Sequence, residues 1–126
     1  MSQEFNIEII SPDGKIFIGK CSEAILPCFE GQVTILKDHI PLITFLRPGL
    51  ITIDSKKNFY IEEGTVEFFN NKLLILTSLT LDAKELRGEK IANMIKEAEE
   101  KLTDNNNSDK QKYILNYKIE TLKQIN

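Results

Sequence analysis

From Phe5 to Leu76, apolar residues recur at every second position in short runs that end in turn residues, the pattern of strands with one buried face. Phe5, Ile7 and Ile9 alternate with Asn6 and Glu8 and lead into Ser11-Pro12-Asp13-Gly14, a turn predicting a hairpin with Lys15 to Lys20, whose Ile16 and Ile18 are expected on one face. Glu23 to Pro27, Gln32 to Leu36 (Val33 and Ile35 on one face), Leu42 to Leu46 and Leu50 to Asp54 (Ile51 and Ile53) continue the series. Asn58 to Glu62, Thr65 to Phe69 and Lys72 to Thr77 complete it, with Asn70-Asn71 suited to the left-handed backbone of a hairpin turn. Eight or nine strands at a spacing of about ten residues predict an antiparallel sandwich or barrel and not a βαβ fold.

After Thr80 the pattern changes period. Glu, Lys and Ala replace the β-branched and aromatic runs, and Ile91, Ile95, Ala98 and Leu102 mark one stripe of a helix, with Glu97 and Lys101 placed to pair on its outer face. Asp82-Ala83-Lys84-Glu85 has the form of its cap, and Gly88, about 1 kcal/mol worse than alanine inside a helix, predicts fraying or a bend. Thr103 to Asn107 is a stop and loop. Ser108-Asp109-Lys110-Gln111 is a cleaner capping box for a second helix striped by Leu115, Ile119 and Leu122 and widened by Ile114 and Ile125. The expected architecture is β plus α: an N-terminal antiparallel β-sandwich over residues 1–81, then an antiparallel two-helix hairpin over residues 82–126 that leans on the sandwich or on a partner.

Composition narrows the function by exclusion. The formal charge is −3 over 126 residues, and the lysines are scattered, which argues against a nucleic-acid footprint or an anionic membrane surface. The opening Met-Ser-Gln-Glu-Phe-Asn lacks a basic segment followed by an apolar stretch, so secretion is not expected, and the most apolar window, Leu73 to Leu81, is far short of the ~20 residues of a membrane helix. Cys21 and Cys28 would point to opposite faces of one continuous strand, so neither a disulfide nor joint metal ligation is expected and both read as small apolar fillers. With His39 the only histidine, no metal site is predicted, and no Gly-x-x-x-x-Gly-Lys-Ser/Thr phosphate loop occurs. His39 is also the one candidate general base, with Asp38 beside it. Neighbours on a loop point apart, however, and no serine or thiol is set against them, so a histidine packed in or exposed on the loop is the simpler reading.

The densest run of turn signals is Pro27 to Gly49. Glu30-Gly31 reads as a turn, Lys37-Asp38-His39 as a polar loop closed by Pro41, and Arg47-Pro48-Gly49 as a turn whose glycine supplies positive φ. This stretch resembles the signature of the epsilon-chain family of rotary ATP synthases (delta in mitochondria): Glu30, Gly31, Ile35, Leu36, His39, Pro41, Leu42, Thr44, Leu46, Pro48 and Gly49 stand where that pattern wants them. Cys28 and Thr34 replace two of its glycines. The likeness continues through Ser11-Pro12-Asp13-Gly14, Phe17-x-Gly19 and the closing helical region.

The resemblance implies a non-catalytic central-stalk subunit, peripheral on the cytoplasmic face of the bacterial inner membrane. It would couple the gamma subunit to the membrane c-ring through a loop comprising Gln32, Lys37, Asp38 and His39. It also implies a regulatory helical arm, with Arg87, Lys90, Lys110, Lys112, Lys118 and Lys123 as its basic residues, able to reach the alpha and beta subunits and inhibit hydrolysis. Some relatives bind ATP through Ile/Leu-Asp-x-x-Arg-Ala at the start of the first helix; here Leu86, Arg87, Lys90 and Ile91 fall at those positions, so ATP binding is expected to be weak or absent and no cofactor is implied. The rival readings are a small enzyme using His39 and an unrelated sandwich adaptor with a helical oligomerisation arm.

Overall fold

A computed structural model describes residues 3–125, and the alternating patterns become strands where expected. They are β1 (Phe5–Ser11), β2 (Gly14–Cys21), β3 (Glu23–Cys28), β4 (Gly31–Leu36), β5 (Leu42–Leu46), β6 (Gly49–Ile53), β7 (Lys57–Ile61), β8 (Gly64–Phe69) and β9 (Lys72–Thr77), with a further short strand, β10 (Thr80–Asp82). A 3-10 turn, Ala83–Glu85, precedes α1 (Gly88–Leu102) and α2 (Asp109–Ile125). The strands form one continuous sheet in the order β10-β7-β6-β3-β5-β8-β9-β1-β2, with β4 on the free edge of β3. This ribbon folds over itself into two layers, and Phe5, Ile7, Ile9, Leu26, Ile35, Ile51, Phe68 and Ile75 fill the space between them. Every member of this core precedes Thr77, so the helices contribute nothing to it.

A second, smaller cluster lies on the outer side of one layer, where Tyr60, Leu50, Leu79 and Leu81 meet Leu86, Ile91, Met94, Ile95, Leu122 and Ile125. That is why Phe59, Tyr60 and Ile61 are all buried: β7 is covered on both faces, so its residues cannot alternate. The helices stand as the stripes predict, with Ile91 and Ala98 buried on α1 and Ile119 and Leu122 on α2. The second capping box is complete: the Gln111 N–H donates to Ser108 Oγ (3.1 Å), and the Ser108 N–H donates to Gln111 Oε1 (2.8 Å).

Several expectations are corrected. The sandwich is not wholly antiparallel, because β1 pairs in parallel with β9 from Asn6 opposite Lys72 to Ile10 opposite Leu76. Ile16 and Ile18 do not share a face, since a bulge in the β1–β2 pairing lets Ile16 and Phe17 both pack on the core while Ile18 is left exposed. Cys21 and Cys28 do not face opposite ways. A break at Ser22 puts them on separate strands, both inside the core, as free thiols.

The first helix does not start at Asp82. That residue does cap, its Oδ1 accepting from the Lys84 N–H (3.0 Å), but only the 3-10 turn. Leu86 and Arg87, both extended, separate that turn from α1, Leu86 burying its side chain, and Gly88, at φ +52°, is the first residue of the helix. Gly49 is also different from its expectation, having no positive φ. It is glycine because a Cβ there would lie 2.6 Å from Pro27 Cβ, so close approach and not backbone freedom selects the residue.

Two measurements check this packing. Gly49→Ala and Gly64→Ala, whose new Cβ would meet Pro27 and the Leu76 carbonyl respectively, should each lower stability by about 2 kcal/mol or more in urea melts. Gly19→Ala, which meets only the Phe17 ring at 3.6 Å, should be far milder. Burial, reinforced by the Asp54 charge, pushes the Cys21 thiol from 9.0 up to about 12, and burial raises Cys28 as well. Because the unfolded thiol ionises first, stability should be unaffected by Cys21 below pH 9 and should fall as the pH climbs from 9.0 towards 12. Cys21→Ser, or thiol labelling that proceeds at pH 8 as fast in the native as in the denatured chain, would contradict this if the alkaline loss of stability were unchanged.

Candidate functional site

The polar corner between β4 and β5 is held by an exchange of hydrogen bonds. The Asp38 N–H donates to Asn71 Oδ1 (2.6 Å), and Asn71 Nδ2 donates back to Asp38 Oδ1 (2.9 Å). Asp38 adopts φ +67°, while Asn70 and Asn71 take the left-handed conformation that their sequence suggests, so the two turns lock together at one end of the sandwich. His39 turns away from Asp38. Its Nδ1 donates to the Ile40 carbonyl (2.7 Å) and its ring sits edge-on to Phe68 at 5.9 Å. A carboxylate committed to an amide and an imidazole committed to a backbone oxygen do not make a catalytic dyad.

Lys37, Asp38 and His39 are thus brought together, whereas Gln32 lies five residues of extended strand away, roughly 16 Å. The two places are connected: Gln32, Thr34 and Leu36 are the exposed positions of β4 and form a stripe leading to the corner. Of the signature residues, Glu30 and Pro41 are exposed, Gly31 adopts φ +133°, Leu42 packs on the core, and Pro48 and Gly49 are buried.

The basic residues assigned to the arm divide into two groups. Lys118 Nζ is 2.7 Å from Glu62 Oε2, the same oxygen that accepts from the Tyr60 hydroxyl at 2.9 Å. Burial, then the Glu62 charge, pushes the Tyr60 phenol well above its usual range, so it remains a donor. Lys110 Nζ lies 5.9 Å from the Phe29 ring. Phe29 in turn stacks on Tyr113 (5.2 Å, 11°), Tyr113 packs edge-on against Tyr117 (4.7 Å), and the Arg47 guanidinium covers Tyr117 at 3.8 Å. The Tyr113 hydroxyl donates to the Phe29 carbonyl (2.7 Å). This ladder, with Phe29 and Arg47 of the sandwich at either end of the Tyr113 and Tyr117 pair, docks α2. Lys112, Lys123, Arg87 and Lys90 are exposed, with Arg87 Nε donating to the Lys84 carbonyl (3.2 Å).

The sequence pattern does not reveal one exposed surface feature. The outer face of the β5-β8-β9-β1-β2 layer is bare and apolar: Ile43 is 81% exposed, Phe45 64%, Ile18 55% and Leu76 45%. Register aligns Ile43, Glu67, Leu74, Glu8 and Ile18 in one row across the sheet and Phe45, Thr65, Leu76 and Ile10 in the next. A signal was present in Leu42-Ile43-Thr44-Phe45-Leu46, whose apolar residues fall on both faces, as in a strand meant to be covered twice. Among the described residues no group of His, Cys, Asp or Glu could hold a metal ion.

An exposed sheet face rich in apolar residues is the kind of surface through which proteins assemble. Comparison with known proteins agrees. Residues 4–82 match the family described as ATP synthase, Delta/Epsilon chain, beta-sandwich domain. Over 131 aligned positions the chain is 44% identical to the ATP synthase epsilon chain of Pelagibacter ubique, covering all of both chains. It is 34% identical over 95 positions to that of Dichelobacter nodosus, covering 72% of this chain and 66% of the relative. The fold recurs in a chain from the cryo-EM structure of the Euglena gracilis mitochondrial ATP synthase, OSCP/F1/c-ring in rotational state 1, with TM-score 0.78, 17% identity and 98% and 82% coverage of this chain and that one. It recurs again in the central stalk/c-ring structure of the Tetrahymena thermophila mitochondrial enzyme, with TM-score 0.67, 16% identity and 94% and 93% coverage. The chain belongs to the delta/epsilon chain family of ATP synthase subunits and is one component of a larger enzyme complex.

The docking ladder predicts how α2 is held. Tyr113→Phe, which removes one hydrogen bond, should cost about 1 kcal/mol. Lys118→Gln should cost no more than about 1 kcal/mol, less at high salt, because both side chains of its pair are partly exposed, at 17% and 25%. Hydrogen exchange should show α2 amides losing protection in both variants while the amides of β1 and β9 keep theirs.

Proposed function

We propose that the chain is the epsilon-type subunit of the central stalk of a proton-driven ATP synthase, with no bond chemistry of its own. The observation that carries this reading is the bare apolar face around Ile43 and Phe45, continuous with the corner at Lys37, Asp38 and His39. The face clamps the gamma subunit. Its charges balance, Glu8 and Glu67 in one row against Lys20 and Lys72 in the next, so it fits a partner surface that is apolar with polar groups of both signs interspersed. The β4 stripe from Gln32 to Leu36 and the corner beyond it meet the polar loops of the c-ring, with Ile40, 74% exposed, as an apolar contact at the tip.

Residues 1–81 act as the rotor-binding unit, which their separate core supports, and residues 82–126 act as a regulatory arm. The arm is folded onto the sandwich here. Among the described residues Lys112 and Lys123 make no ion pair and are cations for acidic loops of the alpha and beta subunits, as is exposed Lys110 beside Phe29, while Lys118 is released only when its pair with Glu62 opens. No helix among the described residues is long and apolar enough to cross a membrane, in keeping with a peripheral place in the complex, on the cytoplasmic face of the bacterial inner membrane. Arg87 is exposed and lines a groove with Lys84, Gly88, Ile91 and Ile125, whereas Lys90, also exposed, lies outside that lining. A lysine point charge at the position of the motif's arginine gives at most a weak, salt-sensitive hold on a nucleotide.

The test is association with purified gamma subunit. Ile43→Glu and Phe45→Glu should each weaken the complex about thirtyfold or more while the circular dichroism spectrum stays native. His39→Ala should leave gamma binding intact and alter coupling to the ring. A fragment ending at Leu81 should melt cooperatively, with less stability than the whole chain, and still bind gamma. Calorimetry with ATP at physiological salt should give nothing tighter than about millimolar. Failure of the intact chain to bind gamma at micromolar concentration, or equal binding by both glutamate variants, would sink the proposal.

A further inference from the structure

The bare face does not end on the sandwich. At the end of β5, Phe45, 64% exposed, is one wall of a hollow of about 250 Å³ that also takes in Phe29, Leu46, Glu63, Gly64 and Lys110. Its two aromatic walls are tied by backbone, the Phe29 N–H donating to the Phe45 carbonyl at 3.0 Å, and Leu46 stands opposite Gly64 in the β5–β8 register. Lys110 alone comes from the helical pair, from the first turn of α2. The hollow is open, and it is smaller than the ~300–1,000 Å³ of small-molecule pockets. With aromatic walls it has the form of a socket for one large side chain of a protein partner.

Its position selects the occupant. Phe45 belongs both to the hollow and to the row Phe45, Thr65, Leu76 and Ile10 of the bare face, so a partner that covers this row reaches the hollow without a break. Glu63 and Lys110 are exposed and make no ion pair with the described residues, which leaves one charge of each sign beside the apolar walls.

The hollow also depends on α2. Lys110 Nζ lies 5.9 Å from the Phe29 ring, and that ring stacks on Tyr113 of α2 at 5.2 Å and 11°. Undocking α2 would take Lys110 out of the lining and remove the ring that fixes the plane of Phe29. The hollow is therefore complete only while the helix is docked.

We infer that the gamma subunit seats one large aliphatic or aromatic side chain between Phe29 and Phe45, with an acidic group beside it for Lys110, and that its binding is thereby linked to the docked state of α2. The inference rests on the assignment of the bare face to gamma. A ligand that binds one of two states better shifts the equilibrium towards that state, and the effect is reciprocal. Gamma holds α2 in place, and docked α2 tightens gamma.

The test uses the full-length chain and purified gamma, with calorimetry for affinity and hydrogen exchange for the state of α2. Lys110→Glu, which makes both charged members of the lining negative, should weaken gamma binding about tenfold. Lys112→Glu, the same charge change at an exposed α2 position outside the lining, should stay within about twofold. Saturating gamma should slow exchange of the α2 amides from Ile119 to Ile125 about fivefold or more, although these residues take no part in the hollow. If Ile43→Glu weakens gamma binding but Lys110→Glu binds like the unaltered chain, or if gamma leaves the exchange of α2 unchanged, the bare face keeps its assignment and this inference alone is overturned. Absence of gamma binding by the unaltered chain would overturn both.

Discussion

The sandwich depends on how β3 divides its partners. Along one edge it pairs with β4 throughout, but its other edge is shared: Ala24 and Ile25 pair with β6, and three residues later Cys28 stands opposite Leu46 of β5. That single pair, with backbone bonds from the Phe29 N–H to the Phe45 carbonyl (3.0 Å) and from the Arg47 N–H to the Pro27 carbonyl (2.9 Å), turns the corner from one layer to the other. The corner closes tightly only because Gly49 lies against Pro27 with no Cβ between them. Much else is arranged from it: the bare face begins on β5, the polar corner at Lys37 to His39 precedes β5, and Phe29 and Arg47, the sandwich's contributions to the α2 ladder, flank the same crossing.

The helical pair is held differently. The outer cluster around Tyr60 is small, and much of the contact between α2 and the sandwich is aromatic stacking, a guanidinium on a ring, one phenol hydrogen bond and one partly exposed ion pair. Such interactions contribute about 0.5–1.5 kcal/mol each and are directional. They fix the helical pair in one place without making it part of the sandwich's core.

Much of this was legible in the sequence because it rests on local chemistry. Alternating Phe5, Ile7 and Ile9, the Asn70-Asn71 turn and the reciprocal Ser108 and Gln111 cap need only neighbouring residues to specify them. What was not legible depends on partners distant in the chain. The alternation rule placed Ile16 with Ile18 because a bulge is invisible until β1 is laid beside β2. It set Cys21 against Cys28 because the chain breaks at Ser22, where the Asp54 carboxylate, 32 residues on, caps the Ser22 N–H at 2.8 Å. The role of Gly49 was misassigned for the same reason, as only the fold brings Pro27 to it. The apolar sheet face was hidden in plain view: exposed Ile43 and Phe45 look like core residues to any rule that equates apolar with buried.

The parallel pairing of β1 with β9 has a consequence for how the protein is made. Asn6 and Lys72 are neighbours in the sheet, with a backbone bond from the Asn6 N–H to the Asn71 carbonyl at 2.9 Å, yet the whole of the intervening sandwich lies between them in the chain. During synthesis the β1–β2 hairpin emerges first, with Ile7 and Ile9 lacking their eventual neighbours until β9 has been made. Contacts this far apart in sequence make closure slow, and an unpaired β1 edge is open to pairing with strands of other chains in the interval. Completion of the sandwich is therefore timed by its ninth strand, and the helical pair that follows is translated onto a sandwich that has only just become able to close.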